Sequence, residues 1–307
     1  MFKILFLVVT LVAWPAWANK SVKILVPFAP GSATDLMART VSDPLSRQLG
    51  VPVVVENRPG AGGNIANREV ATADSKTVVL LVNGVGIASN AALDNSEYDF
   101  TGLVPLAKLG SLPVIFVSSK KSNIRTVQDL ARHDSITYGS SGGGLSYLYG
   151  QLVAHETKRN FIHVPYKGVH QSLPDLASGQ LDSAFLFYSN AMSYINADKI
   201  YPVAVGTTYR LSGLESVPTM QELGIRGTEN IDSWFAVFSN NTEQTQQLEQ
   251  IRLALSQVLD NPATKQKLVA LGIELPKTHK LRRDFLIEEY KRYQVIVKKI
   301  QAKRLDQ

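Results

Sequence analysis

The sequence predicts an α/β fold in two domains, each a mostly parallel sheet flanked by helices. Three observations carry that prediction. Short β-branched runs alternate with helical stretches, which is the rhythm of parallel strands with crossover helices. The alternation comes in two series, separated by apolar connecting segments. The chain of 307 residues also exceeds what one hydrophobic core usually serves.

Met1-Phe2-Lys3, the apolar run Ile4 to Val12 and Ala16-Trp17-Ala18 read as a secretory signal, residues 1–18, with an A-x-A cleavage site after Ala18. The run is too short to cross a bilayer, which needs roughly 20 apolar residues, so an exported, periplasmic protein is expected. There are no cysteines, which excludes a disulfide framework and a lipid anchor on an N-terminal cysteine. Stability must come from core burial.

The first series runs Val22 to Pro27 and then Asp35 to Leu49, Val51 to Glu56 and then Asn64 to Ala73, and Thr77 to Val82 with a loop into Ala88 to Leu93. The second has strands at Ile136 to Tyr138, Ile162 to Tyr166 and Leu181 to Phe187, with helices after Leu145 and Leu173. Leu103 to Ser118 and Tyr201 to Thr207 are expected as two strands crossing between domains. Two crossings make the first domain discontinuous, 19–110 with 207–307, around a second domain of 111–206. A C-terminal helix closes the first domain, because Leu281, Phe285, Leu286, Tyr290, Tyr293, Val297 and Ile300 form one stripe at three- and four-residue spacing.

Net charge is +6, or +5 without Lys3. The basic residues are scattered or gather on the polar side of the last helix, with no aromatic side chains interleaved for stacking on bases. A solvated helix face is expected there and no nucleic-acid partner. The five histidines show no metal-ligand spacing, and no complete phosphate-binding glycine motif occurs, so no metal and no cofactor are implied.

In open α/β sheets a ligand lies beyond the carboxyl ends of the strands. That rule selects the loops Phe28 to Ser32, Arg58 to Gly63, Asn83 to Gly86, Gly139 to Gly144, Lys167 to Gly168 and Phe187 to Ser189, nearly all of them small or hydroxyl-bearing. Asn83, Gly84, Lys167, Phe187 and Tyr188 are site candidates on this ground. Gly31 permits a left-handed turn, and Ser32-Ala33-Thr34-Asp35 matches an S-x-x-D capping box whose helix N-terminus attracts an anion. Asp35 either caps its helix alone or also contacts ligand. Gly139-Ser140-Ser141-Gly142-Gly143 fits the G-x-S-x-G turn of α/β hydrolases, so an exported serine hydrolase using Ser141 is the alternative. It needs a downstream acid and histidine, and His279 lies in a segment read as outer packing.

The ordered set "ILVPFAPGSATDLMART", "GVPVVVENRPGAGGNIANREVA", "SEYDFTGLVPLA", "YGSSGGGLSYLYGQL", "HVPYKGVHQSLPDLASGQLD", "VPTMQELGI" and "DSWFAVF" resembles the Bug-type periplasmic solute receptors of tripartite tricarboxylate transporters, over nearly the whole chain after the signal. The resemblance implies a Venus-flytrap fold and capture of a small carboxylate without catalysis, chiefly by backbone amides. Carried over by position, the contacts are Phe28, Ala29, Gly31, Ser32 and Asp35 on one side and Ser140, Ser141, Gly142 and Gly143 on the other. The implied partners are membrane transporter subunits or a membrane sensor, with the receptor itself a monomer. This chain departs from the family pattern in having Ser32 where a second glycine is usual, and Leu186-Phe187 where a polar residue is frequent. The latter change suggests an apolar or aromatic carboxylate.

Overall fold

The computed structural model describes residues 21–302 except 94–97, 141–143, 167, 229–230, 232 and 241–244. The signal segment and the candidates Ser141, Gly142, Gly143 and Lys167 lie outside the described residues.

The chain runs through β1 (Val22–Val26), α1 (Ala33–Leu49), β2 (Val53–Asn57), α2 (Asn64–Ala71), β3 (Val79–Gly84), α3 (Gly86–Ala92) and β4 (Leu103–Ser111). It continues through β5 (Val114–Ser119), β6 (Ile136–Ser140), α4 (Gly144–Thr157), β7 (Phe161–Pro165), α5 (Leu173–Ser178), β8 (Ser183–Phe187), α6 (Tyr188–Asn196) and β9 (Ile200–Val205). Last come β10 (Trp234–Asn240), α7 (Thr245–Asp260), α8 (Pro262–Ala270) and α9 (Phe285–Ala302).

The strands form two five-stranded sheets, ordered β2-β1-β3-β10-β4 and β7-β6-β8-β5-β9. The two orders have the same form. In each, one strand opposes both neighbours: β10 runs antiparallel to β3 and β4, and β5 runs antiparallel to β8 and β9. The other strands are parallel, and helices cover the faces as expected. The antiparallel strand is the one that the β-α rhythm does not announce, because each enters its sheet after an excursion through the other.

The expected crossings take a different form. Leu103 to Ser118 breaks at Leu112-Pro113 into β4 and β5, since proline has no N–H for a ladder. Tyr201 to Thr207 is not a crossing strand; its ordered part is β9, paired with β5 at the edge of the second sheet. The return is made by residues 206–233. The two connections meet where the Leu112 N–H donates to the Ser233 carbonyl at 3.1 Å and the Ser233 hydroxyl donates to the Leu112 carbonyl.

Behind the sheets lies one apolar cluster that contains residues of both. It holds Leu81, Trp234 and Phe238 of the first, Phe116, Tyr138 and Phe185 of the second, and Leu286, Tyr293 and Val297 of α9. The predicted C-terminal stripe is therefore a buried one. Trp234 Nε1 donates to Glu289 Oε2 at 2.7 Å, and the Arg292 guanidinium sits 2.9 Å from the other oxygen, so the buried carboxylate on α9 has both a donor and a cation. Lys299, on the face expected to be solvated, instead forms a 3.0 Å ion pair with Glu156 of α4.

Gly150 on α4 lies against the Tyr138 ring, where an added Cβ would fall 2.1 Å from Cε2. A Gly150→Ala change therefore overpacks the core, and thermal unfolding is expected to show a loss of about 1–3 kcal/mol or more. An unchanged midpoint would contradict this packing of α4 on β6.

Candidate functional site

The parallel strands of each sheet end at the same edge, and the helices that follow β1, β2, β3, β6, β7 and β8 start on that side. The antiparallel strands begin at that edge. Together they enclose a cavity of about 810 Å³ between the two sheets. Its first wall is made by Pro27 to Ala29 and Gly31 to Thr34, by Pro59 to Gly63, and by Asn83 to Gly86. The second comes from Gly144 to Ser146, Pro165, Tyr166, Gly168 to Gln171, and Asn190. Val114, Phe185, Phe187 and Phe235 complete the lining. The walls touch at the back, where the Phe187 and Phe235 rings meet edge to face at 5.7 Å and a Cβ on Gly144 would lie 3.9 Å from Gly86 Cα.

The loop from Phe28 to Ser32 is held from behind. Gly31 takes φ +80°, open to a glycine without strain. Ser32 caps α1, its hydroxyl accepting from the Asp35 N–H at 3.3 Å. The Asp35 carboxylate reaches back one residue further than a capping box does. It accepts from the Gly31 N–H at 2.9 Å, while the Ser32 N–H goes to the Ala29 carbonyl at 3.2 Å. Asn57, at the end of β2, donates to the Phe28 carbonyl at 2.9 Å and to Asp35 Oδ1 at 3.0 Å. Arg39 Nε lies 3.0–3.1 Å from both Asp35 oxygens. Burial alone would raise the Asp35 pKa; hydrogen bonds from Arg39, the Gly31 amide and Asn57, with the Arg39 charge, outweigh it and hold the carboxyl below its ordinary value.

With the Gly31 and Ser32 amides committed, the donors left at this wall are the Ala33 and Thr34 amides of the first helical turn, which have no partner within a helix. The first amides of α3 and α4, at Gly86, Gly144 and Leu145, stand in the same relation to their helices. No lysine, arginine, aspartate or glutamate is among the described lining residues. The titratable ones are His170 and Tyr166. Burial and the Asp175 carboxylate, which accepts the Tyr166 hydroxyl at 2.7 Å, push that phenol up to about 12.

Of the residues singled out in the sequence, Phe28, Ala29, Gly31, Ser32, Asn83, Gly84 and Phe187 line the cavity. Asn83 is tied on both sides, donating to Asn67 Oδ1 at 2.6 Å and accepting from the Gly84 N–H at 2.7 Å. Asp35 is not in the lining, because its carboxylate is consumed in bracing the loop. Ser140 is fully buried, its hydroxyl 2.7 Å from His163 Nε2, and burial holds that imidazole's pKa below its usual value. Tyr188 donates to the Ser212 carbonyl at 2.7 Å, away from the cavity. Leu186 lies on the other face of β8, in a separate core cluster, because neighbours on a strand alternate. His279 Nδ1 donates to the Lys108 carbonyl of β4 at 2.7 Å, outside the cavity lining. The sequence reading missed Tyr166, His170, Gln171, Asn190, Val114 and Phe235. The last two lie at the starts of the antiparallel strands, so only the topology reveals them.

Two sheets with this shared strand order, joined by two connections with the cavity between them, define the two-domain periplasmic-binding-protein fold. The family model "Tripartite tricarboxylate transporter family receptor" matches residues 37–302, and the chain belongs to that family. An Agrobacterium vitis protein from the TAR-I ttuE-ttuC' intergenic region is 31% identical over 88% of this chain and 82% of its own. Protein BugT of Bordetella pertussis is 28% identical over 92% and 90%. Among solved structures, MatC from Rhodopseudomonas palustris with bound malate superposes with a TM-score of 0.81 at 25% identity, covering 92% of this chain and 100% of that one. Another R. palustris protein, solved with adipate, gives 0.82 at 27%, covering 93% and 99%.

A carboxyl whose pKa is lowered on folding contributes stability above its unfolded value, and that contribution is lost as pH falls through the folded one. Replacing Asp35 by Asn should therefore lower stability at neutral pH and flatten the loss of stability below about pH 4. Acid unfolding followed by circular dichroism checks this; parallel curves for the two proteins would refute the brace.

Proposed function

We propose that the chain is a periplasmic solute receptor, exported by its N-terminal signal, that captures a small carboxylate in the interdomain cavity without transforming it. The boundaries 19–110 with 207–307, and 111–206, are the domains of this reading, and the division of the strands between the two sheets supports them. The observation that carries the proposal is the lining itself: first-turn residues of three helices line a cavity with no charged side chain among its described residues. Helix N-termini favour anions, and hydrogen bonds to a charged group contribute roughly 1.5–3 kcal/mol each, so a carboxylate needs no arginine to be held. Ser141 to Gly143 and Lys167 remain part of the proposed contact set as the second domain's contribution, whereas Ser140 is held by His163 outside the lining.

Phe28, Phe187, Phe235, Phe185 and Val114 supply an apolar wall for the body of the guest. A ligand with an aromatic or alkyl body fits this wall better than one with three carboxylates, which would leave charge against rings. Malate and adipate are the ligands of the two R. palustris structures and mark the size of guest that this fold accommodates. The receptor is proposed to act as a monomer that hands its ligand to membrane transporter subunits or reports it to a membrane sensor.

A thermal-shift screen over mono-, di- and tricarboxylates, amino acids and aromatic acids tests the reading, since a ligand stabilises the fold by mass action. Benzoate- or hexanoate-like acids are expected to raise the melting point by several degrees more than citrate does. Citrate at the head of the ranking would reject the apolar-body assignment, and a screen with no carboxylate response would reject carboxylate capture.

A further inference from the structure

Asp35 stands one peptide behind the wall proposed to receive an anion. Its carboxylate takes the Gly31 N–H, Gly31 lines the cavity, and Asp35 itself is 1% exposed. An ionised carboxylate there opposes capture of another negative group, because little water screens the pair. Arg39 answers that charge from one helical turn on: its Nε contacts both Asp35 oxygens and its Nη2 lies 3.3 Å from Asn57 Oδ1. Arg39 is not in the cavity lining and its side chain is half exposed. The other groups on the Asp35 carboxylate are neutral, the Gly31 N–H and the Asn57 side-chain amide. Arg58, one residue after Asn57, is engaged with Glu56 and Glu69.

Resting on the carboxylate reading above, we propose that Arg39 is a positioning residue for anion capture, which neutralises Asp35 so that one side chain can brace the loop without repelling the guest. The arrangement separates two tasks. Asp35 sets the course of Phe28 to Ser32 ahead of the lining residues Ala33 and Thr34, and Arg39 removes the electrostatic cost of having a carboxylate do so. Arg39 never touches the ligand. Without it the Asp35 carboxyl is a buried acid whose protonation and ligand capture favour each other. Capture by such a variant therefore strengthens as pH falls, whereas the native pair, with its lowered carboxyl pKa, leaves capture insensitive to Asp35 at neutral pH.

The test uses acetate, a bare carboxylate that needs only the amide cradle, with acetamide as the neutral control. Amide NMR titrations of the chain from Asn19 onward are run at pH 7.5 and 5.0 on the native protein and on R39K, R39M and R39Q. Thermal unfolding is recorded for each. The expected result is acetate binding weakened about tenfold relative to the native protein in R39M and R39Q at pH 7.5, with most of that difference recovered at pH 5.0. R39K, which keeps the charge, should bind within about threefold of the native protein, on the same electrostatic grounds. A loss that is equal at both pH values, or shared by R39K, would mark a merely structural role and overturn the proposal, as would unimpaired binding by R39M. Should R39M not fold, R39Q decides the point, since its amide keeps a hydrogen-bond donor beside Asp35 without the charge; binding equal to the native protein at pH 7.5 overturns the proposal. Native protein that does not bind acetate overturns the carboxylate reading and this proposal with it.

Discussion

A peptide N–H can grip an anion only if no side chain covers it and no carbonyl has claimed it. The first turn of a helix meets both conditions, because its amides have no partner one turn back. The two sheets place such turns at facing edges, with β1 leading to α1, β3 to α3 and β6 to α4. The small residues at these turns are a consequence of that use. Gly31 allows the chain to reverse, and Gly86 and Gly144 let α3 and α4 approach at the back of the cavity. Bulky residues there would shield the amides and separate the walls.

Packing maintains this geometry from behind. The cluster around Trp234, Tyr138 and α9 contains residues of both sheets, and the Leu112 and Ser233 backbones join the two connections directly. Trp234 lies where the two requirements meet. Its carbonyl accepts the Val85 N–H at 3.2 Å, beside the cavity, while its indole is fixed to Glu289 on α9. The aromatic floor at Phe187 and Phe235 follows from the same arrangement, since each residue stands at the cavity edge of its own sheet.

Much of this was legible in the sequence because local rules govern it. The β-α alternation and the Gly-rich turns after strands located the sheets and most of the first wall, and the stripe from Leu281 to Ile300 marked a helix with a buried face. What was not legible depends on partners distant in sequence. β10 reads as an isolated apolar run; its place between β3 and β4 follows from the return of the chain after the second sheet is complete. Asp35 matched a capping box, and nothing local shows that Asn57, 22 residues on, would complete a brace around it. Ser140 and Tyr188 sit in the right loops, yet His163 and the Ser212 carbonyl take their hydroxyls. A loop rule finds the segment and leaves open which of its atoms face the guest.

The account rests on uncommitted amides holding a negative guest. Amide NMR of the isotope-labelled protein during a benzoate titration examines those atoms one by one. The account predicts saturable downfield shifts at Ala33, Thr34, Gly86, Gly144 and Leu145, with the Gly31 amide, already bonded to Asp35, moving less. Shifts confined to the surface cations around Lys121, Arg125 and Arg132, with the cavity amides unmoved, would contradict it.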